Sequence, residues 1–166
     1  MKQIRIILYW ITLWLQTLPA IGQEINQDDL KRIKIQVVTP RGLEQQPNAA
    51  DLLENRLVQA VSLNGTGTTC SRFLLVCRVQ ELNSLVTPST PPQYVAELEI
   101  SCFIADQIEK TILQQATFQV KGVARSKEKA VMNAVGSINA RNPQLKKLIT
   151  KGKEKIVTYY RSKCER

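Results

Sequence analysis

The sequence predicts an α+β domain of two layers: a mixed four-stranded sheet with helices packed on one face. Three observations lead there. Several segments alternate apolar and polar side chains with the period of a half-buried strand, and others repeat apolar residues at three- and four-residue steps. Their order is strand, helix, three-strand meander, two helices, which calls for helices segregated to one side of the sheet.

The first strand is read from Ile33, Ile35 and Val37 alternating with Lys34, Gln36 and Val38, and Thr39-Pro40-Arg41-Gly42 ends it. Pro47 opens a helix whose stripe is Ala50, Leu53, Leu57, Ala60 and Val61, with Asp51, Glu54, Arg56 and Gln59 opposite. Asn64-Gly65 stops it, and Thr66 to Ser71 reads as a small polar turn. Phe73, Leu75, Cys77 and Val79 then share one face of a strand over 72–81. Its other face carries Leu74 and Val76 beside Arg72 and Arg78, which places it centrally in the sheet. Residues 84–92 hold three prolines and are expected to be loop. Tyr94, Ala96, Leu98, Ile100, Cys102 and Ile104 alternate with Glu97, Glu99 and Ser101 in a one-sided strand; Asp106 to Glu109 turns. Ala116, Phe118 and Val120 alternate with Gln115, Thr117, Gln119 and Lys121 in the last strand, and Gly122 ends the sheet. Ser126 is placed to cap a short helix burying Val131, Ala134, Val135 and Ile138. Asn142-Pro143 starts a longer one with the stripe Leu145, Leu148, Ile149, Gly152, Ile156, Tyr159 and Tyr160.

The amino-terminal end carries a different signal. Lys2 and Arg5 precede an apolar run from Ile6 to Leu18, and Ala20 and Gly22 sit at minus three and minus one from a cut before Gln23. Residues 1–22 read as a secretory signal peptide, 23–30 as a flexible lead-in and 31–166 as one domain. A membrane anchor is the rival, but 13 apolar residues fall short of the roughly 20 that span a bilayer. No cysteine stands at the cut to take a lipid. The expected location is therefore outside the cytoplasm, in the periplasm or on the extracellular side of an outer membrane, with no transmembrane helix after signal removal.

Charge and cysteine content narrow the chemistry. The chain has 23 basic and 14 acidic side chains and no histidine. Without histidine, His-dependent triads and most zinc hydrolase sites are excluded. Without residues 1–22 the excess is seven, and because residues 23–140 are balanced at 12 basic against 12 acidic, all of it lies from Arg141 onward. There Lys146, Lys147, Lys151, Lys153 and Lys155 lie mostly off the apolar stripe and form a candidate anion-binding face; a solvated helix face is the plainer reading. The tyrosines fall on the buried stripe and not among the lysines, which argues against nucleic acid as a partner. The four cysteines, Cys70, Cys77, Cys102 and Cys164, are spaced too widely for a zinc knuckle. In an exported chain they favour disulfides. Cys77 and Cys102 lie on the core-facing sets of neighbouring strands, and their midpoint, between Ser89 and Thr90, falls in the proline-rich loop. They are the disulfide candidates, with two small buried thiols as the alternative.

Three patterns resemble catalytic motifs and have plainer accounts. The Gly65-Thr66-Gly67 pair follows a helix and precedes a strand, the reverse of a phosphate cradle. Ser126 and Lys129 match Ser-x-x-Lys without companion elements. Glu97 and Glu99 share the outer face of one strand, with no aromatic platform nearby to make them a glycosidase pair. No catalytic residue, metal ligand or cofactor is assigned, and the chain is not expected to be an enzyme.

The strand Ile33–Val37, the helix ending in Leu57-x-x-Ala60-Val61, and Ser71-Arg72-Phe73 entering a strand resemble two known domains. These are the amino-terminal domain of the Tol-system propeller protein and the periplasmic domain of curli-type secretion lipoproteins. The pore-forming segments of the curli lipoproteins have no counterpart. A wider set of residues resembles a group of uncharacterised secreted envelope proteins of Gram-negative anaerobes: Ser71-Arg72-Phe73, Val86-Thr87-Pro88, Pro91-Pro92, Lys121-Gly122-Val123, Ala130, Asn142-Pro143, Lys151-Gly152-Lys153 and Tyr159-Tyr160. Members of that group carry further helices after the position of Cys164, so this chain either lacks them or is a truncated member. The resemblance implies an exported, non-enzymatic binding or assembly module whose partner is an envelope or extracellular protein. The alternative function is binding to anionic lipid or polysaccharide through the basic carboxy-terminal helix.

Overall fold

The structure, a computed structural model, describes residues 27–164. The expected signal peptide and the cut before Gln23 lie outside the described residues. In chain order the elements are α1 (Gln27–Arg32), β1 (Ile35–Val37), α2 (Pro47–Leu63), β2 (Gly67–Thr68), β3 (Phe73–Thr87), β4 (Gln93–Asp106), β5 (Thr111–Ala124), α3 (Lys127–Gly136) and α4 (Pro143–Cys164). The strands form one open sheet in the order β2-β1-β3-β4-β5. β1 is parallel to β2 and β3, and β3, β4 and β5 make the antiparallel meander.

The α+β class holds, with corrections of detail: the first strand begins at Ile35 and not Ile33, the last runs past Gly122 to Ala124, and three further differences follow. The sheet has five strands and not four, because Gly67 and Thr68 pair in parallel with Ile35 and Gln36. The Ile35 N–H also donates to Thr66 O at 2.8 Å. A two-residue strand is too short to show any periodicity. The segment 84–87, expected to be loop, continues β3, so the connection to β4 shrinks to residues 88–92, where all three prolines sit. A register shift between Glu81 and Asn83 explains the misreading, since the face that each side chain takes changes parity there. Residues 27–30 of the expected flexible lead-in belong to α1. That helix has Asp28 and Asp29 in its first turn and Lys31 and Arg32 in its last, as the helix dipole favours.

One sheet face is covered. Leu75, Cys77 and Val79 of β3 meet Leu98, Ile100, Cys102 and Ile104 of β4 there, all buried. Over them lie Leu53, Leu57 and Val61 of α2, Val131, Ala134 and Val135 of α3, and Leu145, Leu148, Ile149 and Ile156 of α4. Pro47 stands at the start of α2, and Asn64 with Gly65 (φ +70°) ends it. The Ser126 side chain accepts from the Lys129 N–H at the start of α3. The Asn142 Oδ1 accepts from the Gln144 N–H at 2.8 Å beside Pro143. Two close approaches let the helices sit this near the sheet. A Cβ on Gly122 would stand 2.0 Å from Ala130 O, and one on Gly152 would stand 2.4 Å from Ile104 Cδ1.

Candidate functional site

The features that could act on another molecule gather around α4. Lys146, Lys147, Lys151 and Lys155 are exposed, and none has a carboxylate partner among the described residues. Lys147 and Lys151 project from the side of α4 opposite Leu145, Leu148, Ile149 and Ile156, while Lys146 and Lys155 lie on its two flanks. Lys153 behaves differently. It is half-buried, and its ammonium donates to Asn64 O at 2.7 Å, at the carboxy-terminal end of α2. Burial, with Lys34 nearby, lowers its pKa. Lys153 therefore ties α4 to the negative end of the α2 dipole, and the solvent-facing set consists of the other four lysines.

The carboxy-terminal end of α4 is fixed by a buried cluster that the sequence did not reveal. Asp106, at the end of β4, has a fully buried side chain. Its oxygens accept from Arg72 Nε at 2.9 Å, from the Ile108 N–H at 2.9 Å and from the Glu109 N–H at 3.2 Å; the Tyr160 hydroxyl also donates to Oδ2. Burial by itself would raise the Asp106 pKa, but these donors together hold it well below the usual carboxylate range. The Tyr160 hydroxyl, buried and donating to that carboxylate, is pushed up to about 12. The Arg72 guanidinium lies 4.7 Å from the Tyr160 ring centre, and Phe73 meets that ring edge-on at 5.9 Å. Outside this knot Glu109 pairs with Lys163 at 2.7 Å, and Arg161 with Asp29 of α1 at 2.7 Å. Every acceptor position of Asp106 is occupied by a structural donor, so the carboxylate orients α4 and offers no free base. In sequence Asp106 looked like a turn residue and Tyr160 like one more apolar stripe position; their separation of 54 residues hid the pairing.

Cys77 and Cys102 are register partners in β3 and β4, with Cα atoms 4.2 Å apart, and form a disulfide within the core. Cys70 and Cys164 are exposed free thiols. The remaining sequence candidates have structural employment. Gly65 closes α2 while Gly67 enters β2. Ser126 caps α3. Glu97 pairs with Lys121 at 2.8 Å across the strands, on the sheet face away from the helices.

Between the start of β5 and the flank of α4 runs an open groove of about 610 Å³, lined by Thr111, Ile112, Leu113, Glu154, Lys155, Thr158 and Tyr159. No described helix is long and apolar enough to cross a membrane.

No protein-family model matches the chain, and no curated protein is similar to it. Among solved structures it is similar to a Xanthomonas campestris protein of the DUF330 family, at 18% identity over 79% of this chain and 88% of that one, with a TM-score of 0.46. A PelC dodecamer from Paraburkholderia phytofirmans gives 14% identity over 74% and 89% of the two chains and a TM-score of 0.46. A minor lipoprotein from Acinetobacter baumannii gives 13% identity over 76% and 94%, at 0.38. These comparisons do not confirm the resemblance to the Tol-system propeller or curli-type domains.

Proposed function

We propose that this chain is an exported, non-enzymatic binding or assembly module of the cell envelope. The observation that carries the reading is the Cys77–Cys102 disulfide at the centre of the covered sheet face. Such bridges persist where the compartment is oxidising, and residues 1–22, read as a signal peptide, supply the route there. The most strongly perturbed titratable group, Asp106, is wholly engaged in holding α4, which supports a role in presenting a surface and not in proton transfer. The partner class is an envelope or extracellular protein.

Expression of the full chain in a Gram-negative host tests this. The expected outcome is a product cleaved before Gln23 in the envelope fraction, in which Cys77 and Cys102 resist alkylation until reduced. Cytoplasmic retention of the 18.8 kDa chain with both thiols open to alkylation would overturn the reading.

A second reading is supported by the four unpaired lysines of α4, which suit an anionic lipid or polysaccharide surface. Vesicles of phosphatidylglycerol at low salt should retain the protein if this holds.

A further inference from the structure

β5 ends the sheet order, so its outer side has no strand beside it. The Val123 carbonyl is turned to that side, where it accepts from Asn133 Nδ2 at 2.9 Å. By strand alternation, the N–H and C=O groups of Gln115, Thr117, Gln119 and Lys121 point the same way. Among the described residues, only Gln115 O has a partner there, the Gln114 side chain at 3.2 Å. An edge of this length is ordinarily blunted by proline, a bulge or several charges. From Gln115 to Val120 there is none of these, and Lys121 is paired to Glu97 on the open face of the sheet.

The side chains of that open face show what fits beside the edge. Strand pairing sets Leu85, Val95 and Val123 in one row near the β3–β4 connection. At the other end of the strands Leu74, Ala105 and Ile112 make a second row. Val123 and Ile112 bring these rows to the outer edge, where they are 41% and 62% exposed. The register shift between Ile104 and Ala105 puts Ile112, in place of Leu113, on the open face. A two-fold axis beside Phe118, normal to the sheet, therefore sets Val123 of one copy opposite Ile112 of the other. The apolar row then runs unbroken from Leu85 of one copy to Leu74 of the next. In the same register Thr117 faces Gln119 and Gln115 faces Lys121, so no like charges are opposed.

We propose that β5 is a self-association edge, at which two copies of this chain pair antiparallel about Phe118 into one continuous sheet. Each pair of outward residues exchanges two main-chain hydrogen bonds. The pattern selects a second copy because the complement of each end of β5 is its own other end. The pairing also closes. The opposite edge of the sheet is β2, only Gly67 and Thr68, which is too short to propagate it. This inference goes beyond the reading of the chain as an envelope module and does not depend on it, since pairing needs only the folded sheet.

Sedimentation equilibrium of the exported full chain over a wide range of concentration tests it. A monomer–dimer equilibrium without larger species is expected, and amide exchange at Gln115, Thr117, Gln119 and Lys121 should slow as concentration rises. Thr117→Lys/Gln119→Lys opposes lysines across the two-fold and should raise the dimer Kd about tenfold. Thr117→Glu/Gln119→Lys opposes unlike charges and should dimerise at least as tightly as the parent. Both side chains are exposed on the open face, so the pair of variants separates charge at the edge from loss of fold. If the double-lysine variant does not fold, the concentration dependence of exchange in the unaltered chain decides. A monomer up to millimolar concentration, a dimer that leaves those amides unprotected, or equal weakening by both variants would overturn the proposal. So would species that grow past the dimer with concentration.

Discussion

Asp106 shows how much one side chain can organise. A carboxylate with no solvent contact survives as an anion only when its lone pairs are met, and here Arg72, Tyr160 and two backbone N–H groups meet them. Asp106→Asn keeps the shape but weakens the Arg72 and Tyr160 contacts. Because Arg72 is one-third exposed and screened by water, the expected cost is about 2 kcal/mol, less than for a fully buried pair. Tyr160→Phe should cost about 1 kcal/mol, the net worth of one hydrogen bond. Denaturant melts of the two variants and the double variant measure the coupling. The pH dependence follows from the same contacts. Asp106 is depressed in the folded state, so its stabilisation is present above its ordinary value of about 3.9 and is lost as pH falls below it. Tyr160 is raised, so its share is present below about 10 and disappears as pH climbs through about 12. Melts across pH should show the acid limb reduced in Asp106→Asn and the alkaline limb reduced in Tyr160→Phe.

The helices reach the sheet through two glycines, and the two contacts differ in what can yield. A Cβ at Gly122 would collide with Ala130 O and the Ala134 backbone, which cannot move without shifting α3. One at Gly152 would collide with the tip of the Ile104 side chain, which can change rotamer. Gly122→Ala is therefore expected to cost about 3 kcal/mol and Gly152→Ala about 1 kcal/mol, measured by urea unfolding. Neither approach can be read from sequence, where Gly122 looked like the end of a strand that in fact runs on to Ala124. What was legible had regular periods or strong punctuation: Pro47, Asn64-Gly65, Ser126 and Asn142-Pro143 mark helix boundaries that the structure keeps, and the one-sided alternation of β4 needed no correction beyond its ends. What was hidden depended on partners distant in the chain. β2 exists only because β1 is beside it, and the parity of β3 changes at a bulge that local composition does not announce. The α4 face was legible as a stripe with lysines opposite; the diversion of Lys153 to Asn64 was not, because the two are 89 residues apart. That division has a consequence. Replacing Lys146, Lys147, Lys151 and Lys155 together with Gln should leave the melting temperature within a few degrees of the parent and remove retention on phosphatidylglycerol vesicles. Lys153→Gln alone should lower stability and leave retention intact.

Among the described residues, one face of a five-stranded sheet holds the core and the other faces water, so their stability rests on a single helix–sheet interface and one covalent tie. The Cys77–Cys102 bridge joins the two strands at the centre of that interface, at a sequence separation of 25. Closing a loop of that length restricts the unfolded chain by about 3 kcal/mol. The side chains around the bridge, Leu75, Val79, Ile100 and Ile104, are buried by contacts that do not depend on the S–S bond. The β3–β4 register is likewise set on both sides of it by backbone pairing. Reduction is therefore expected to keep the fold while lowering the melting temperature by about 10 °C, a shift of the size that such a free-energy loss gives in a domain of this length. Circular dichroism melts with and without reductant test this, with Cys77→Ala/Cys102→Ala as the control. A double variant that melts like the reduced parent and behaves like it on phosphatidylglycerol vesicles would assign the bridge to stability alone. Loss of the folded spectrum on reduction at room temperature would show instead that the single interface cannot hold without its covalent tie.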